Sequence, residues 1–140
     1  MPDDTISSSA VMNVAASALR AQQARMRVIA ENIANADSTA KTADGDPYRR
    51  QSPIFEPTRV AGGEGVKMTR VAPDRTDFRL EYQPGHPAAD GNGYVKLPNV
   101  DPLIEALDMK EAQRAYEANL NVIEAARSMQ MRTLDLLKSR

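Results

Sequence analysis

The sequence of 140 residues contains no cysteine, no tryptophan, six aromatic residues and a single histidine. Without cysteine the chain cannot form disulfide bridges, thiolate metal sites or a thiol nucleophile. The few aromatics leave little for a base-stacking platform or an aromatic core. No apolar run approaches the roughly 18 residues that span a bilayer. With a formal net charge of −1, the chain lacks the positive electrostatic field that is typical of nucleic-acid-binding proteins.

The lone histidine, His86, is the obvious candidate for acid–base or metal chemistry. It stands between Gly85 and Pro87, and no serine or threonine lies in a nucleophile elbow or a glycine-rich phosphate loop. The aspartates of the central region do not have the spacing of a calcium loop. We therefore predict a turn histidine that caps a carbonyl, in a protein that is not an enzyme and has no cofactor or metal.

Basic residues are mostly arginine, thirteen against five lysines. Residues 41–98 hold nine basic and eight acidic side chains, so they create no positive field for nucleic acid. Arginine in excess without net charge favours contacts between proteins, because its planar fork pairs with carboxylates and carbonyls.

Glycine and proline are confined to the middle of the chain. All seven glycines and seven of the nine prolines lie in residues 41–98, and the length suits one small domain with extensions. We therefore predict three segments: a helix in residues 1–37, an extended and partly β region in 38–100, and a second helix in 101–140.

Each predicted helix has two adjacent apolar rows with the three-four spacing of a heptad. Serines at residues 7–9 and the pair Asp101-Pro102 are start signals. We predict a mainly α fold in which the terminal helices pair as an antiparallel coiled coil. Because two paired helices bury only about half of such double rows, the remaining apolar surface predicts entry into a larger helical assembly.

The middle segment is predicted to be a small, mostly β excursion with few buried residues. Residues 48–55 predict extended chain with short strands at most. Alternation in residues 66–71 and 76–82 predicts strands, with turns at residues 83–87 and 90–93.

Several motifs resemble the flagellar rod and hook family of axial proteins, and within it the subunits of the proximal rod. The broad family signature runs from Ser17-Ala18-Leu19 to Thr39 and contains Asn32-Ile33-Ala34-Asn35. The more specific motifs are Pro47-Tyr48-Arg49-Arg50-Gln51, Gly85-His86-Pro87 with Gly93-Tyr94-Val95, Pro98-Asn99-Val100-Asp101 and Tyr116-Glu117-Ala118-Asn119. The chain departs from many axial proteins in the acidic spacer between Thr39 and Tyr48.

The resemblance implies a subunit of the hollow drive shaft in the basal body, located in the periplasm. It implies export by the flagellar type III apparatus without a cleaved signal peptide. The implied partners are other rod subunits, copies of the chain itself and the junction protein at the inner-membrane ring, with no nucleic acid and no membrane span. The predicted subunit-interface residues are Leu19, Met26, Ile29, Asn32, Ile33, Asn35, Arg49, Arg50, Tyr94, Tyr116, Asn119, Leu120, Ile123, Met129 and Leu134.

One alternative function remains open at this point. A soluble helical hairpin that binds a partner as an adaptor or chaperone, without polymerising, would carry the same apolar rows.

Overall fold

The computed structural model describes residues 7–139. In chain order it contains helix α1 (Ser8–Ala34), strands β1 (Gln51–Val60), β2 (Gly63–Pro73), β3 (Arg79–Tyr82) and β4 (Tyr94–Leu97), and helix α2 (Pro102–Lys138). The strands form two small sheets, β1–β2 and β3–β4. The fold is therefore mainly α with two small sheets between the helices, as the composition predicts.

Both helices begin where the start signals place them. The hydroxyl of Ser7 accepts a hydrogen bond from the backbone N–H of Ala10 at 3.1 Å. The carboxylate of Asp101 accepts one from the N–H of Leu103 at 3.0 Å, with Pro102 in the first helical position. These side chains satisfy N–H groups that the first turn leaves unpaired.

The prediction of short strands at most in residues 48–55 is wrong, because β1 is ten residues long. The strand includes Pro53 and Pro57, although proline cannot donate a ladder hydrogen bond. In a two-stranded sheet each strand has one free edge, where a missing N–H group is tolerated.

The chain folds into two compact units. Unit 1 comprises Met1–Arg25, Phe55–Thr69 and Glu111–Arg140, and unit 2 comprises Met26–Ile54 and Arg70–Lys110.

In unit 1, the β1–β2 hairpin packs on α1. The N–H of Val66 donates to the hydroxyl of Ser17 at 3.1 Å, and the Asn13 amide donates to the carbonyl of Ala61 at 3.0 Å. Gly62, at φ +88°, lies so close to α1 that a Cβ there would be 2.6 Å from the Cβ of Ala10. Part of the middle segment therefore packs on the side of α1 that carries Ala10, Asn13 and Ser17.

The two helices also contact each other in unit 1. Gln130 donates to the hydroxyl of Ser9 at 3.1 Å, and Arg25 pairs with Glu111 at 3.4 Å. Because the later contact on α1 is with the earlier residue on α2, these helix segments run antiparallel.

The buried face of α2 falls between the two predicted rows, of which one contains Met109, Tyr116, Ile123 and Gln130 and the other contains Ala112, Asn119 and Ala126. Its members follow the three-four spacing but come alternately from each row. Ala112 and Ala126 are buried, and the other members of this face are half-buried. These half-buried side chains are Met109, Tyr116, Asn119, Ile123 and Gln130.

In unit 2, the β3–β4 sheet has one buried and one exposed face. Val95 and Leu97 are buried, whereas Leu80, Tyr82 and Tyr94 are exposed. Tyr82 pairs with Tyr94 in the antiparallel register, so the two rings lie on the same side. Val95 and the nearby Val100 are fully buried, and they are among the few buried residues of the middle segment, as predicted.

Gly65 provides a test of the hairpin docking in unit 1. A Cβ at this position would lie 2.2 Å from the Ser17 hydroxyl oxygen and 2.9 Å from its Cβ. We expect Gly65→Ala to lower the free energy of unfolding by about 1–3 kcal/mol through overpacking, measured by urea denaturation. Gly91→Ala is the control, because a Cβ there meets nothing within 4 Å. Equal stability of the two variants would contradict the docking.

Candidate subunit-interaction site

A charged cluster around Arg50 and Glu105 lies in unit 2. Glu105 is fully buried, and the Nε of Arg50 donates a hydrogen bond to its carboxylate. The other guanidinium nitrogens of Arg50 lie 3.4 Å from a carboxylate oxygen of Asp74 and 3.5 Å from one of Asp108. The cluster therefore joins the first turns of α2 to the segments that precede β1 and follow β2.

Asn32, near the end of α1, is connected to the same cluster. Its amide donates to the backbone carbonyl of Gln51 at 2.8 Å, and its oxygen accepts the N–H of Gln51 at 2.9 Å. The Tyr48 hydroxyl donates to the same oxygen at 2.7 Å, and the amide also lies 3.4 Å from Glu105. Asn32 thus holds the extended segment against α1 as a strand partner would.

A second asparagine, Asn99, supports the cluster from the other side. Its oxygen accepts the N–H of Arg50 at 2.7 Å, and its amide donates to the carbonyls of Asp74 and Thr76 at 3.0 and 3.1 Å. Within residues 7–139 no buried side-chain nitrogen or oxygen is left without a partner. The network is therefore a fully satisfied structural core.

Arg49 contacts the same loop. Its guanidinium donates to the carbonyls of Asp74 and Thr76 at 3.0 and 3.1 Å, and it lies 4.2 Å from the centre of the Phe78 ring. A cation over an aromatic face is attracted to the ring. Arg49 therefore already has partners within unit 2.

Three residues in or next to the charged cluster have shifted pKa values, namely Tyr48, Arg50 and Asp74. Burial raises the pKa of Tyr48. Burial alone would lower the pKa of Arg50. The hydrogen bonds and charge interactions with Glu105 and Asp74 together outweigh burial, so the pKa of Arg50 is raised. The backbone N–H of Thr76 is the main cause that lowers the pKa of Asp74, with Arg50 adding to it. All three shifts keep the groups in their ordinary charge states near neutral pH.

His86 lies in the predicted turn, but it does not cap a carbonyl. Its Nδ1 accepts a hydrogen bond from the N–H of Ala88 at 3.0 Å, which requires the neutral nitrogen to act as an acceptor. Within residues 7–139 no group of three acidic or histidine side chains is arranged to hold a metal ion.

Helix α2 carries most of the exposed apolar surface. Ten of the fifteen exposed large apolar side chains in the described chain lie on it, so they are concentrated on one element. Val122, Met129 and Leu136 are 42%, 63% and 71% exposed and follow one another at seven-residue intervals, which places them on one side of the helix. Exposed apolar surface of this kind marks a contact with another protein.

A smaller exposed patch lies on the β3–β4 sheet in unit 2. Leu80, Tyr82 and Tyr94 are 64%, 63% and 43% exposed. The two tyrosine rings meet edge to face with their centres 5.3 Å apart. Such rigid aromatic side chains are enriched in protein interfaces.

The fifteen predicted interface residues fall into three groups in the structure. Exposed or partly exposed side chains that remain available for contacts are Ile33, Tyr94, Leu120, Met129 and Leu134. Half-buried side chains are Leu19, Met26, Asn35, Tyr116, Asn119 and Ile123. The remaining four, Ile29, Asn32, Arg49 and Arg50, are buried or bonded within unit 2.

The amides of Asn35 and Asn119 bond to their own helices. They donate to the carbonyls of Glu31 and Ala115, in both cases at 2.8 Å. Sequence reasoning missed Glu105, whose partner Arg50 is 55 residues away. It also missed Leu80 and Tyr82 as surface residues, although their alternation in β3 was visible.

Comparison with known proteins identifies the family. Residues 12–40 match the family described as "Flagella basal body rod protein", and residues 92–136 match "Flagellar basal body rod FlgEFG protein C-terminal". Flagellar basal-body rod protein FlgC of Agrobacterium fabrum is 51% identical over 133 residues, covering 94% of this chain and 96% of that protein. The chain belongs to the FlgC family of flagellar basal-body rod proteins. The proteins of that name from Salmonella typhimurium and Bacillus subtilis are 42% and 40% identical, over 90% and 91% of this chain and 95% and 96% of their own lengths.

FlgC family membership confirms the resemblance in the motifs and the prediction that the chain is not an enzyme. The chain is a structural subunit of the basal-body rod, and it assembles with other flagellar rod components. Neither helix of the FlgC-family chain, over the residues described, has both the length and the apolar character required to span a membrane.

Proposed function

We propose that the chain is a subunit of the proximal rod, in the periplasm, where it assembles helically with other rod subunits and copies of itself into a hollow shaft that transmits motor torque. The observation that carries this proposal is the exposed apolar surface of α2. A chain that folded for solution alone would leave that surface in contact with water, which is unfavourable in proportion to its area.

The terminal segments, residues 1–37 and 101–140, are proposed to form the core of each subunit as an antiparallel coiled coil. The opposed contacts of Ser9 with Gln130 and of Arg25 with Glu111 support this pairing. The three-four spacing of the buried side chains on α2 supports it as well. Residues 38–100 are then the region that connects the two core segments.

Torque transmission follows from packing along long helices. Helix α2 has 37 residues, which is about 55 Å at 1.5 Å per residue. Interdigitated side chains along this length resist sliding, because every step out of register removes close contacts. The exposed members of the predicted interface set, Leu120, Met129 and Leu134 among them, would supply the contacts between subunits.

The remaining partners are proposed from the family resemblance. They are the junction protein at the inner-membrane ring and the flagellar type III export apparatus, with export occurring without signal cleavage. A chain whose apolar surface is completed only by neighbours orders fully on assembly, which suits export in an unfolded state.

Fractionation tests this function. The protein encoded by an epitope-tagged gene in place of the native gene should copurify with detergent-extracted basal bodies. It should be absent from the soluble periplasm of cells that have assembled flagella. Recovery only in soluble complexes of fixed size would instead support the adaptor or chaperone alternative and would contradict the rod proposal.

A further inference from the structure

Unit 1 contains a groove between α1 and the β1–β2 hairpin that has a basic rim and an apolar floor. It measures about 400 Å³, within the range of about 300–1,000 Å³ typical of sites that take up a ligand. Arg20, Arg59 and Lys67 line it, and none of the described residues that line it is acidic. The floor includes Ala21, Val60, Val66 and Met68.

The three cations find no partner among the residues that the structure describes. Within residues 7–139 none of Arg20, Arg59 and Lys67 forms an ion pair or a side-chain hydrogen bond. Three like charges around one groove repel one another and favour an anionic occupant. The apolar floor favours an occupant that also brings an apolar side chain, which excludes a simple polyanion as the best fit.

The side of α2 that carries Glu117, Leu120 and Glu124, its outer face, complements the groove because it presents acidic side chains next to an apolar one. Glu117 and Glu124 are exposed and form no ion pair within residues 7–139. They are seven residues apart, about 10.5 Å or two helical turns, so they lie on one side of the helix. Leu120, 39% exposed, lies between them.

We propose that the groove of one copy binds the outer face of α2 of a second copy, with Glu117 and Glu124 against the cations and Leu120 on the apolar floor. The inference rests on the proposed function, since it names the contact by which identical subunits join. Because the groove and the helix face are different surfaces, the contact is heterologous and propagates from copy to copy instead of closing as a twofold dimer.

Charge reversal tests the electrostatic part of the contact in cells whose native copy is replaced. We expect Arg20→Glu with Arg59→Glu, and separately Glu117→Lys with Glu124→Lys, to reduce the amount recovered in basal bodies by about tenfold or more. Combining all four reversals should restore recovery. Arg114→Glu makes the same charge change at an exposed position of α2 outside the groove and should leave recovery unchanged.

The proposal would be overturned if the variant with all four reversals were recovered in basal bodies no better than either variant with two reversals. An effect of the groove reversals without any effect of the glutamate reversals would also overturn it, since it would indicate an anionic partner other than a second copy. Circular dichroism of the purified variants checks that each remains folded.

Disulfide cross-linking tests the register, because the natural chain has no cysteine and gives no background. Met68→Cys combined with Leu120→Cys should produce a ladder of dimers and higher multimers when assembled basal bodies are oxidised. Such a bond requires Cα atoms about 4.4–6.8 Å apart. Each single substitution alone should produce none.

Three results would overturn the proposed contact: no ladder, dimers from a single cysteine, or a cross-link to a different protein. If the chain is present in basal bodies but gives no ladder, the rod function stands and only this contact fails. If the unsubstituted chain is absent from basal bodies, the proposed function itself fails.

Discussion

Replacing Glu105 by alanine should lower the free energy of unfolding by about 3 kcal/mol, because the partly buried Arg50 loses its buried partner and keeps only the longer contacts with Asp74 and Asp108. Glu105 is fully buried, it accepts the Nε hydrogen bond of Arg50, and it lies within hydrogen-bonding distance of Asn32. A domain of this size is stable by only about 5–15 kcal/mol, so the loss is a large fraction of the total. Urea denaturation followed by circular dichroism measures it.

Two further variants make the Glu105 prediction specific. Glu105→Gln keeps the shape and one hydrogen-bond acceptor, so it should lose less stability than the alanine variant. Glu111→Ala removes the same side chain from a pair with Arg25 in which the glutamate is 71% exposed, and we expect a loss of about 0–1 kcal/mol. Similar losses for Glu105→Ala and Glu111→Ala would contradict a structural role for the buried carboxylate.

The sequence predicts the helices well because their signals are local. A hydroxyl or carboxylate acts within three residues of itself, as Ser7 and Asp101 do at the starts of α1 and α2. Periodicity over 37 residues averages out the polar exceptions in α2. The length of strand β1 was not visible in the sequence, because whether Pro53 and Pro57 fit in a strand depends on how many strands pair with it.

The position of the buried face of α2 could not be read from apolar content alone. Large side chains such as Met129 and Leu136 weigh most in a hydrophobic pattern, yet they are exposed. The buried positions include Ala112 and Ala126, whose small side chains allow a neighbouring element to approach closely. The pattern therefore predicts the spacing of the buried side chains but misplaces their phase around the helix.

The charged cluster was beyond sequence reasoning for a different reason. Arg50 was assigned to a subunit interface, since arginine suits contacts between proteins, and Asn32 was assigned to the same interface. The structure gives both of them partners inside unit 2, around Glu105. Nothing in the spacing of residues 32, 50 and 105 links them, since only the fold brings three distant segments together.

Met129→Asp should abolish swimming and remove the protein from isolated basal bodies. Met129 is 63% exposed, so an aspartate there costs the isolated chain only about 0.5 kcal/mol through lower helix propensity. In an assembly that buries this side of α2, the same charge has no partner. The cost is then several kcal/mol, which is about a hundredfold or more in the association constant.

Ser128→Asp is the matched control for Met129→Asp, because it adds the same charge one position earlier at an exposed polar residue. Cells that carry Ser128→Asp should swim normally. Both purified variants should retain the circular dichroism spectrum of the unsubstituted protein. Normal swimming of Met129→Asp would mean that this row of α2 faces water in the rod. The apolar surface on which the rod proposal depends would then have to make its contacts elsewhere on the helix, since a buried charge without a partner cannot be accommodated without loss of assembly.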